Sequence, residues 1–387
     1  MNPEQKNKLP RSAALGEIAR EFLRLGFIAF GGPAAHIALM EEEFVRRRHW
    51  VSRERFLDLV GAVSLLPGPS STELAIYLGQ IHGGLPGLLV AGTAFLLPAA
   101  VCVVGLAWAY VRFGTVPQVA GLLFGVKPVV VVLIAQATWA LGRAALRTIP
   151  LAALAVFVVV LSAFGVPTLV LLIGAGAVWM AGGQVRSLPA KPASYLPTFW
   201  RVARFSVPAV TVGVSSVFLY FLKVGAVLFG SGYVLLALLR ADLVVRLHWL
   251  TEPQLLDAIA VSQATPGPFF TVSTFIGYLL GGWRGAALAT LGMFLPAFVY
   301  VAVTASFLPR LRQSKLAGAF LDGVNAAAVA LIAFAGWQFA RTTLVSVPAL
   351  AFAAIGAIFV FRYRMNSAWV LAGAALTGAL LSLIHWN

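Results

Sequence analysis

The triplet Pro67-Gly68-Pro69 and the three hydroxyl residues after it form a segment suited to binding an anion. Neither proline has a backbone N–H and glycine is a weak helix former, so we expect one helix to end near Leu66 and another to begin at the second proline. The first N–H groups of the new helix lack partners within it, and the hydroxyls of Ser70, Ser71 and Thr72 lie beside them. Such donors at a helix start favour a negatively charged ligand.

The triplet recurs 199 residues later as Pro266-Gly267-Pro268. Phe269 and Phe270 occupy the positions of the two serines, whereas Thr271 matches Thr72. We therefore expect the first copy to carry more of the polar site. A lone proline often only kinks a helix. Two prolines at equivalent places in two copies favour a binding site, because a broken helix inside a membrane needs protein or water to satisfy its backbone.

A glycine-rich break precedes each triplet, at Phe30-Gly31-Gly32-Pro33 in the first copy and at Phe229-Gly230-Ser231-Gly232 in the second. Glycine permits sharp backbone turns and proline ends a helix, so both segments are expected to interrupt apolar helices. We expect Gly31 and Gly230 to line a substrate site together with the residues of both triplets.

Three basic residues interrupt apolar stretches and could neutralise a bound anion: Arg24, Lys127 and Lys223. Arg24 and Lys223 are equivalent, and Asn325 occupies the position of Lys127 in the second copy. A charge near the bilayer centre costs about 3 kcal/mol or more, so such residues usually have a partner or a function. The alternative for Arg24 is a position near the membrane surface, with its guanidinium in water. All four residues belong to the predicted substrate site.

Acidic residues are few near the breaks. Glu73 follows the first triplet, and it is either a proton-coupling carboxylate or a first-turn residue stabilised by the helix dipole. Asp58 and its copy Asp257 approach the triplets, where we expect each to cap a helix or pair with a nearby arginine or histidine; Asp58 is a second candidate for proton coupling. The histidines show no ligand spacing, so no metal site and no cofactor are expected.

The composition indicates a protein that crosses a membrane many times. Hydrophobic residues make up 60% of the chain and charged residues 11%, against about 25% charged residues in a soluble domain. The net charge of +15 comes from basic residues that punctuate apolar segments, which indicates membrane orientation and not nucleic-acid binding. The single cysteine, Cys102, excludes a disulfide framework within the chain. The N-terminus lacks the pattern of a removable signal peptide, and we expect it to be cytoplasmic.

The loop charges predict that the two copies have opposite orientations in the membrane. The linker after Phe44 contains five arginines, whereas the equivalent part of the second copy contains only Arg240 and Arg246 together with Asp242, Glu252 and Asp257. Further on the bias reverses, because Arg112 stands alone where the second copy has Arg310, Arg312 and Lys315. Basic loops stay in the cytoplasm, so the repeats are inverted. Inverted repeats with broken helices are typical of secondary transporters.

We therefore predict an all-α polytopic membrane protein with two inverted-topology repeats, discontinuous helices and roughly 10–13 membrane segments. The predicted organisation is a cytoplasmic tail at 1–12, a first repeat at 13–183, a basic cytoplasmic linker at 184–204 and a second repeat at 205–387.

The paired motifs resemble the chromate ion transporter family in its long two-domain form. The motifs are Phe-Gly-Gly-Pro, His-Trp before the break, Pro-Gly-Pro, the following Gly-Gly, and Phe-Leu-x-Pro, and the similarity covers roughly 13–181 and 221–383. The resemblance implies a multi-pass protein of the bacterial plasma membrane that exports chromate and gives chromate resistance, with sulfate as a competing anion. Its expected partners are these anions and the lipid bilayer; a homodimer is a further expectation.

For mechanism, we expect alternating access, in which the halves rock around an oxyanion site and a proton or counter-anion gradient drives export. One alternative is a general sulfate or oxyanion carrier for which chromate is incidental. A membrane-embedded enzyme is a third hypothesis, but the sequence contains no convincing catalytic constellation, so we expect no enzyme activity.

Overall fold

The computed structural model describes residues 11–30, 32–64, 66–114, 117–185, 213–228, 232–304 and 315–384. The expected N-terminal tail and basic linker fall largely outside these residues, as do Gly31 and Gly230. The first repeat contains these helices: α1 (Arg11–Ile28), α2 (Pro33–Met40, continued by a π-helical segment, Glu41–Arg47), α3 (Arg53–Val63), α4 (Ser70–Phe113), α5 (Pro117–Ala145), α6 (Ile149–Ala163) and α7 (Thr168–Val185).

The second repeat has the same order of elements. Its helices are α8 (Val214–Val227), α9 (Val234–Leu239, continued by the π-helical Arg240–Arg246), α10 (Glu252–Ala264), α11 (Val272–Thr304, preceded by a 3-10 turn, Phe269–Thr271), α12 (Lys315–Thr343), α13 (Val347–Ala357, continued by the π-helical Ile358–Arg362) and α14 (Ser367–Ile384). All regular structure in the described residues is helical, so the all-α prediction is confirmed.

Among the described residues, four helical segments are long and apolar enough to cross a membrane, and they form two equivalent pairs: Ser70–Phe113 with Phe269–Thr304, and Ala120–Ala145 with Leu316–Thr343. These four segments confirm a membrane protein, because a helix needs about 20 apolar residues to span the hydrocarbon core. Shorter apolar helices include α6, α7, α8, the α13 segment and α14.

Equivalent helices of the two repeats are antiparallel. Each long helix folds back at its internal glycine, since Gly79 lies against Gly87 in α4 and Gly277 against Gly285 in α11. The limbs that follow these folds run antiparallel: Gly92 lies against Phe298, and farther along α4 Tyr110 packs its ring against Phe275, whose neighbour Thr274 lies 2.7 Å from Thr290. Since α4 and α11 are both long enough to span a bilayer, this arrangement gives the two repeats opposite orientations in it, in agreement with the loop charges.

The repeats also exchange their terminal helices. In the first repeat α5 packs against α13 and α14 of the second, and reciprocally α12 packs against α6 and α7 of the first. Glycines allow the close approach: Gly125 of α5 touches the backbone of Ala374, and Gly323 of α12 touches that of Ala175. Small residues at such crossings are a common basis of helix packing in membranes.

The helix breaks occur where the triplets predict them. Pro69 immediately precedes α4, and Pro268 precedes the turn that leads into α11. Both central glycines have left-handed backbones, with φ of +132° at Gly68 and +92° at Gly267. A second pair of breaks lies inside the long helices, where Gly84 has φ +64° and Gly282 has φ +60°.

Candidate functional site

The two triplets meet the glycine-rich breaks of the opposite repeat. The N–H of Gly68 donates to the carbonyl of Leu228 (2.8 Å), and the N–H of Gly267 donates to the carbonyl of Ala29 (2.7 Å). These two bonds are equivalent under the 199-residue offset, since 29 + 199 = 228 and 68 + 199 = 267. The interrupted backbone of each half is therefore satisfied partly by the other half, as irregular backbone within a membrane protein requires.

A small cavity lies where the breaks cross, with a volume of about 20 Å³. Residues of both repeats line it: Gly32, Pro33, Gly232, Tyr233, Ser262, Gln263, Thr265, Gly267 and Phe269. Its size admits about one water-sized molecule. A hydrated oxyanion is larger than this volume.

Two side chains of the cavity wall have polar atoms without partners. Ser262 is only 3% exposed, and its Oγ is buried with no hydrogen-bond partner among the described residues. The Nε2 of Gln263 is likewise buried and unpartnered, although its side chain hydrogen-bonds to Tyr233. Buried polar groups are nearly always satisfied, so unpaired donors at a cavity indicate a ligand. Sequence reasoning missed both residues.

Comparing the copies could have found them. Ser262, Gln263 and Thr265 on the approach to the second triplet stand where the first copy has Val63, Ser64 and Leu66. The second approach is thus the more polar one. The cavity with free donors lies at this second triplet, contrary to our expectation that the first copy would carry more of the polar site.

At the first triplet, the predicted hydroxyl cradle is partly occupied by the protein's own contacts. Ser71 Oγ lies 3.2 Å from His36 Nδ1, and His36 Nε2 lies 3.1 Å from the carbonyl oxygen of Ala29. A carbonyl only accepts, so Nε2 carries the hydrogen and the serine hydroxyl donates to Nδ1. Ser71 is therefore not free for an anion, and the imidazole instead fixes the backbone to which Gly267 also bonds.

Glu73 fills the space beside the first triplet. It is fully buried, both carboxylate oxygens lack a hydrogen-bond partner in the described residues, and a Cβ on Gly68 would lie 2.6 Å from its Oε1. An acidic group here disfavours an anion at this helix start. The neighbouring Thr72 hydroxyl is also buried and unpartnered, whereas Thr271 in the second copy donates to the carbonyl of Pro268 (2.9 Å). Ser70 is half-buried at the start of α4.

The predicted cations lie away from the cavity wall. The Arg24 side chain is 54% exposed and lies 3.7 Å from Glu21 and 3.8 Å from Glu43, which matches the membrane-surface alternative. Lys223 is exposed, so our expectation of a buried cation is wrong for it. Its positive charge interacts with Asp242. Burial raises the pKa of Asp242, and the charges of Arg246 and Lys223 partly oppose that rise.

Lys127 has a carboxylate partner across the repeats. Its Nζ lies 3.0 Å from Asp257 Oδ1, and the Tyr110 hydroxyl donates to Asp257 Oδ2 at 3.0 Å. Asp257 therefore pairs with a lysine and not with the arginine or histidine we expected. Its copy Asp58 is exposed on α3, and Asn325 is half-buried on α12.

A cluster of ion pairs holds the arginine-rich segment after α2. Arg48 contacts Glu17, Glu21 and Glu43, each at 2.7 Å. Partial burial alone would lower the pKa of Arg48, but these carboxylates outweigh it and raise the pKa above its usual value. In the described residues, no group of three or more histidine, cysteine or acidic side chains could hold a metal ion.

Comparisons with known proteins agree with the repeat. A family model described as "Chromate transporter" matches residues 16–180 and again 215–379. The chain is 31% identical to the chromate transport protein of Cupriavidus metallidurans over 385 residues, covering 96% of this chain and 94% of that protein. It is 32% identical to the chromate transport protein of Pseudomonas aeruginosa over 392 residues, with the same coverage of both chains.

A shorter relative resembles one half only. The uncharacterized transporter YwrA of Bacillus subtilis is 34% identical over 128 residues, which are 33% of this chain and 72% of that protein. No solved structure matches the chain.

Proposed function

The chain belongs to the chromate transporter family, and from that membership we propose that it exports chromate from the bacterial cytoplasm by alternating access of its two inverted repeats. Family membership points to a membrane transporter rather than an enzyme. In our proposal the plasma membrane is its location, the N-terminus is cytoplasmic and sulfate competes with chromate.

The observation that carries the proposal is the pair of unpartnered donors, Ser262 Oγ and Gln263 Nε2, in a cavity between crossed helix breaks. A tetrahedral oxyanion presents acceptor oxygens on every side, and taking it from water is costly unless donors replace its hydration. Hydroxyl and amide donors supply such replacement without a fixed positive charge. Uncharged donors also let the ion leave, which a transporter requires.

The antiparallel pairing of the long helices supports alternating access. The crossed bonds from Gly68 to Leu228 and from Gly267 to Ala29 lie at the contact between the halves. In our proposal, a rocking of one half against the other opens this contact first towards one side of the membrane and then towards the other.

Flux in membrane vesicles tests the proposal. Energised everted vesicles containing the protein should accumulate radiolabelled chromate several-fold above vesicles without it, since export from the cell is uptake into an everted vesicle. A protonophore, and separately internal sulfate, identify whether protons or a counter-anion drive the flux. Accumulation in right-side-out vesicles alone would contradict the proposed direction.

A general oxyanion carrier is the second candidate, and the uncharged lining favours it. Donors that recognise only tetrahedrally arranged oxygens distinguish chromate from sulfate poorly, because the two ions have equal charge and similar shape. External sulfate should then inhibit chromate flux with an inhibition constant within about tenfold of the chromate KM, a difference of about 1.4 kcal/mol. A lack of inhibition by a hundredfold excess of sulfate would rule this carrier out.

A further inference from the structure

A charged cluster outside the cavity joins the two repeats. It consists of Lys127 on α5 and Tyr110 on α4, both from the first repeat, and Asp257 on α10 from the second. Both oxygens of the carboxylate are engaged, one by the ammonium and one by the phenol hydroxyl, each at 3.0 Å. The contact therefore holds α10 against the opposite half of the molecule.

The burial of this pair is uneven. The Asp257 side chain is 4% exposed and the Lys127 side chain is 24% exposed. A buried carboxylate that loses its cation is strongly destabilised unless it binds a proton instead.

The helix that carries Asp257 also ends at the cavity. Ser262 and Gln263 lie in the last turn of α10, and Thr265 follows its end. Five residues separate Asp257 from Ser262, or about 7.5 Å of helix. Because a helix moves as a stiff unit, the contacts that hold Asp257 also fix the positions of Ser262 and Gln263 at the cavity.

The equivalent positions of the other half lack this pair. Asn325 stands in place of Lys127, and Asp58 is exposed where Asp257 is buried. The Lys127–Asp257 pair therefore has no counterpart formed by Asn325 and Asp58. The cluster is thus a departure from the repeat and not a requirement of the shared fold.

Lys127 and a proton compete directly for the Asp257 carboxylate. Lys127 and Tyr110 are the titratable groups that act on Asp257. Of the other elements that pack against α10, α14 contains no ionisable residue, and the π-helical Arg240 is engaged by Glu252 at the start of α10. On α11, the residue that faces Tyr110 is Phe275.

We propose that Asp257 is the proton-binding site of the transport cycle, with Lys127 as the internal cation that replaces the proton. When the carboxylate is ionised it binds Lys127 and holds α10 against α5, as in this conformation. A proton from the aqueous side adds to a carboxylate oxygen, the lysine keeps its own protons, and the neutral acid releases α10 and its cavity residues. This inference rests on the proposed oxyanion transport.

Glu73 is the competing candidate. It is fully buried, but no cation or hydrogen-bond partner among the described residues contacts its carboxyl oxygens. Its protonation would release no contact of that kind. Asp257 differs because its proton would displace a specific ion pair between the repeats.

Transport assays on the reconstituted full-length protein distinguish proton coupling from chromate binding. For Asp257→Asn, accumulation of chromate driven by a pH gradient should fall at least tenfold, whereas chromate–chromate exchange without a gradient should stay within about threefold of the unmodified protein. For Lys127→Gln, the pH of half-maximal driven flux should rise by about one unit or more, because the cation that competes with the proton is gone. Asp322→Asn, an exposed aspartate on α12, is the matched control and should change neither assay.

The outcomes are distinct. The inference is overturned if Asp257→Asn retains full gradient-driven accumulation of chromate. It is also overturned if Glu73→Gln is the variant that loses this accumulation. If a folded Asp257→Asn protein loses both chromate exchange and gradient-driven accumulation, Asp257 has a structural role and the inference is also overturned. If that variant does not fold, the pH profile of Lys127→Gln alone tests the inference. If the unmodified protein moves no oxyanion, it is the proposed function that fails.

Discussion

Replacing Gln263 by leucine is expected to raise the KM for chromate by at least tenfold. The Nε2 group of Gln263 is a buried donor at the cavity without a hydrogen-bond partner among the described residues, so we expect it to donate to the ion. A hydrogen bond to a charged group is worth about 1.5–3 kcal/mol, which corresponds to roughly 10- to 150-fold in affinity. Ser262→Ala should act in the same direction, and the double variant should abolish measurable flux at micromolar chromate.

The first repeat provides a matched control for this prediction. Ser64 occupies the position of Gln263 in the first copy, is exposed, and donates its hydroxyl to the Val60 carbonyl of its own helix (2.8 Å). Ser64→Ala should therefore leave the chromate KM unchanged. Initial rates of radiolabelled chromate uptake in everted vesicles, at matched protein levels, give the comparison. Equal KM values for Gln263→Leu and Ser64→Ala would remove the cavity from the transport path.

The helix breaks could be predicted because their causes are local. Proline lacks an N–H, glycine tolerates a positive φ, and both effects operate within a few residues of Gly68 and Gly267. The inversion could also be predicted, since loop charges are read directly from the chain. The partner of each break could not, because the bonds to Leu228 and Ala29 join residues that are far apart in sequence.

The position of each charge depends on neighbours that the sequence does not show. Lys127 and Lys223 both interrupt apolar stretches, yet the first meets a buried aspartate while the second is exposed. Ser262 and Gln263 differ from their counterparts in the first copy, but the sequence does not show that the fold brings Gly32 and Gly232 against them.

We expect Gly267→Ala to destabilise the protein more than any other substitution that adds or removes one methyl group where the two helix breaks cross. At φ +92° an alanine is strained, which costs about 1–3 kcal/mol. Its Cβ would also lie 2.6 Å from the Cβ of Ala99 on α4, far inside van der Waals contact. Relieving that overlap costs about another 1–3 kcal/mol and would pull the Gly267 N–H away from the Ala29 carbonyl.

Two comparison variants separate the backbone strain from the overlap. Gly165 also has a positive φ, +81°, but a Cβ there would meet no atom within 4 Å, so Gly165→Ala should lose only the backbone contribution. Adding Ala99→Gly to Gly267→Ala removes the clashing methyl and should recover part of the loss, less about 1 kcal/mol for glycine in a helix. The midpoint temperature of unfolding in detergent, with chromate flux alongside, measures both effects. Equal losses for Gly165→Ala and Gly267→Ala would mean that the contact between the breaks contributes little to holding the halves together.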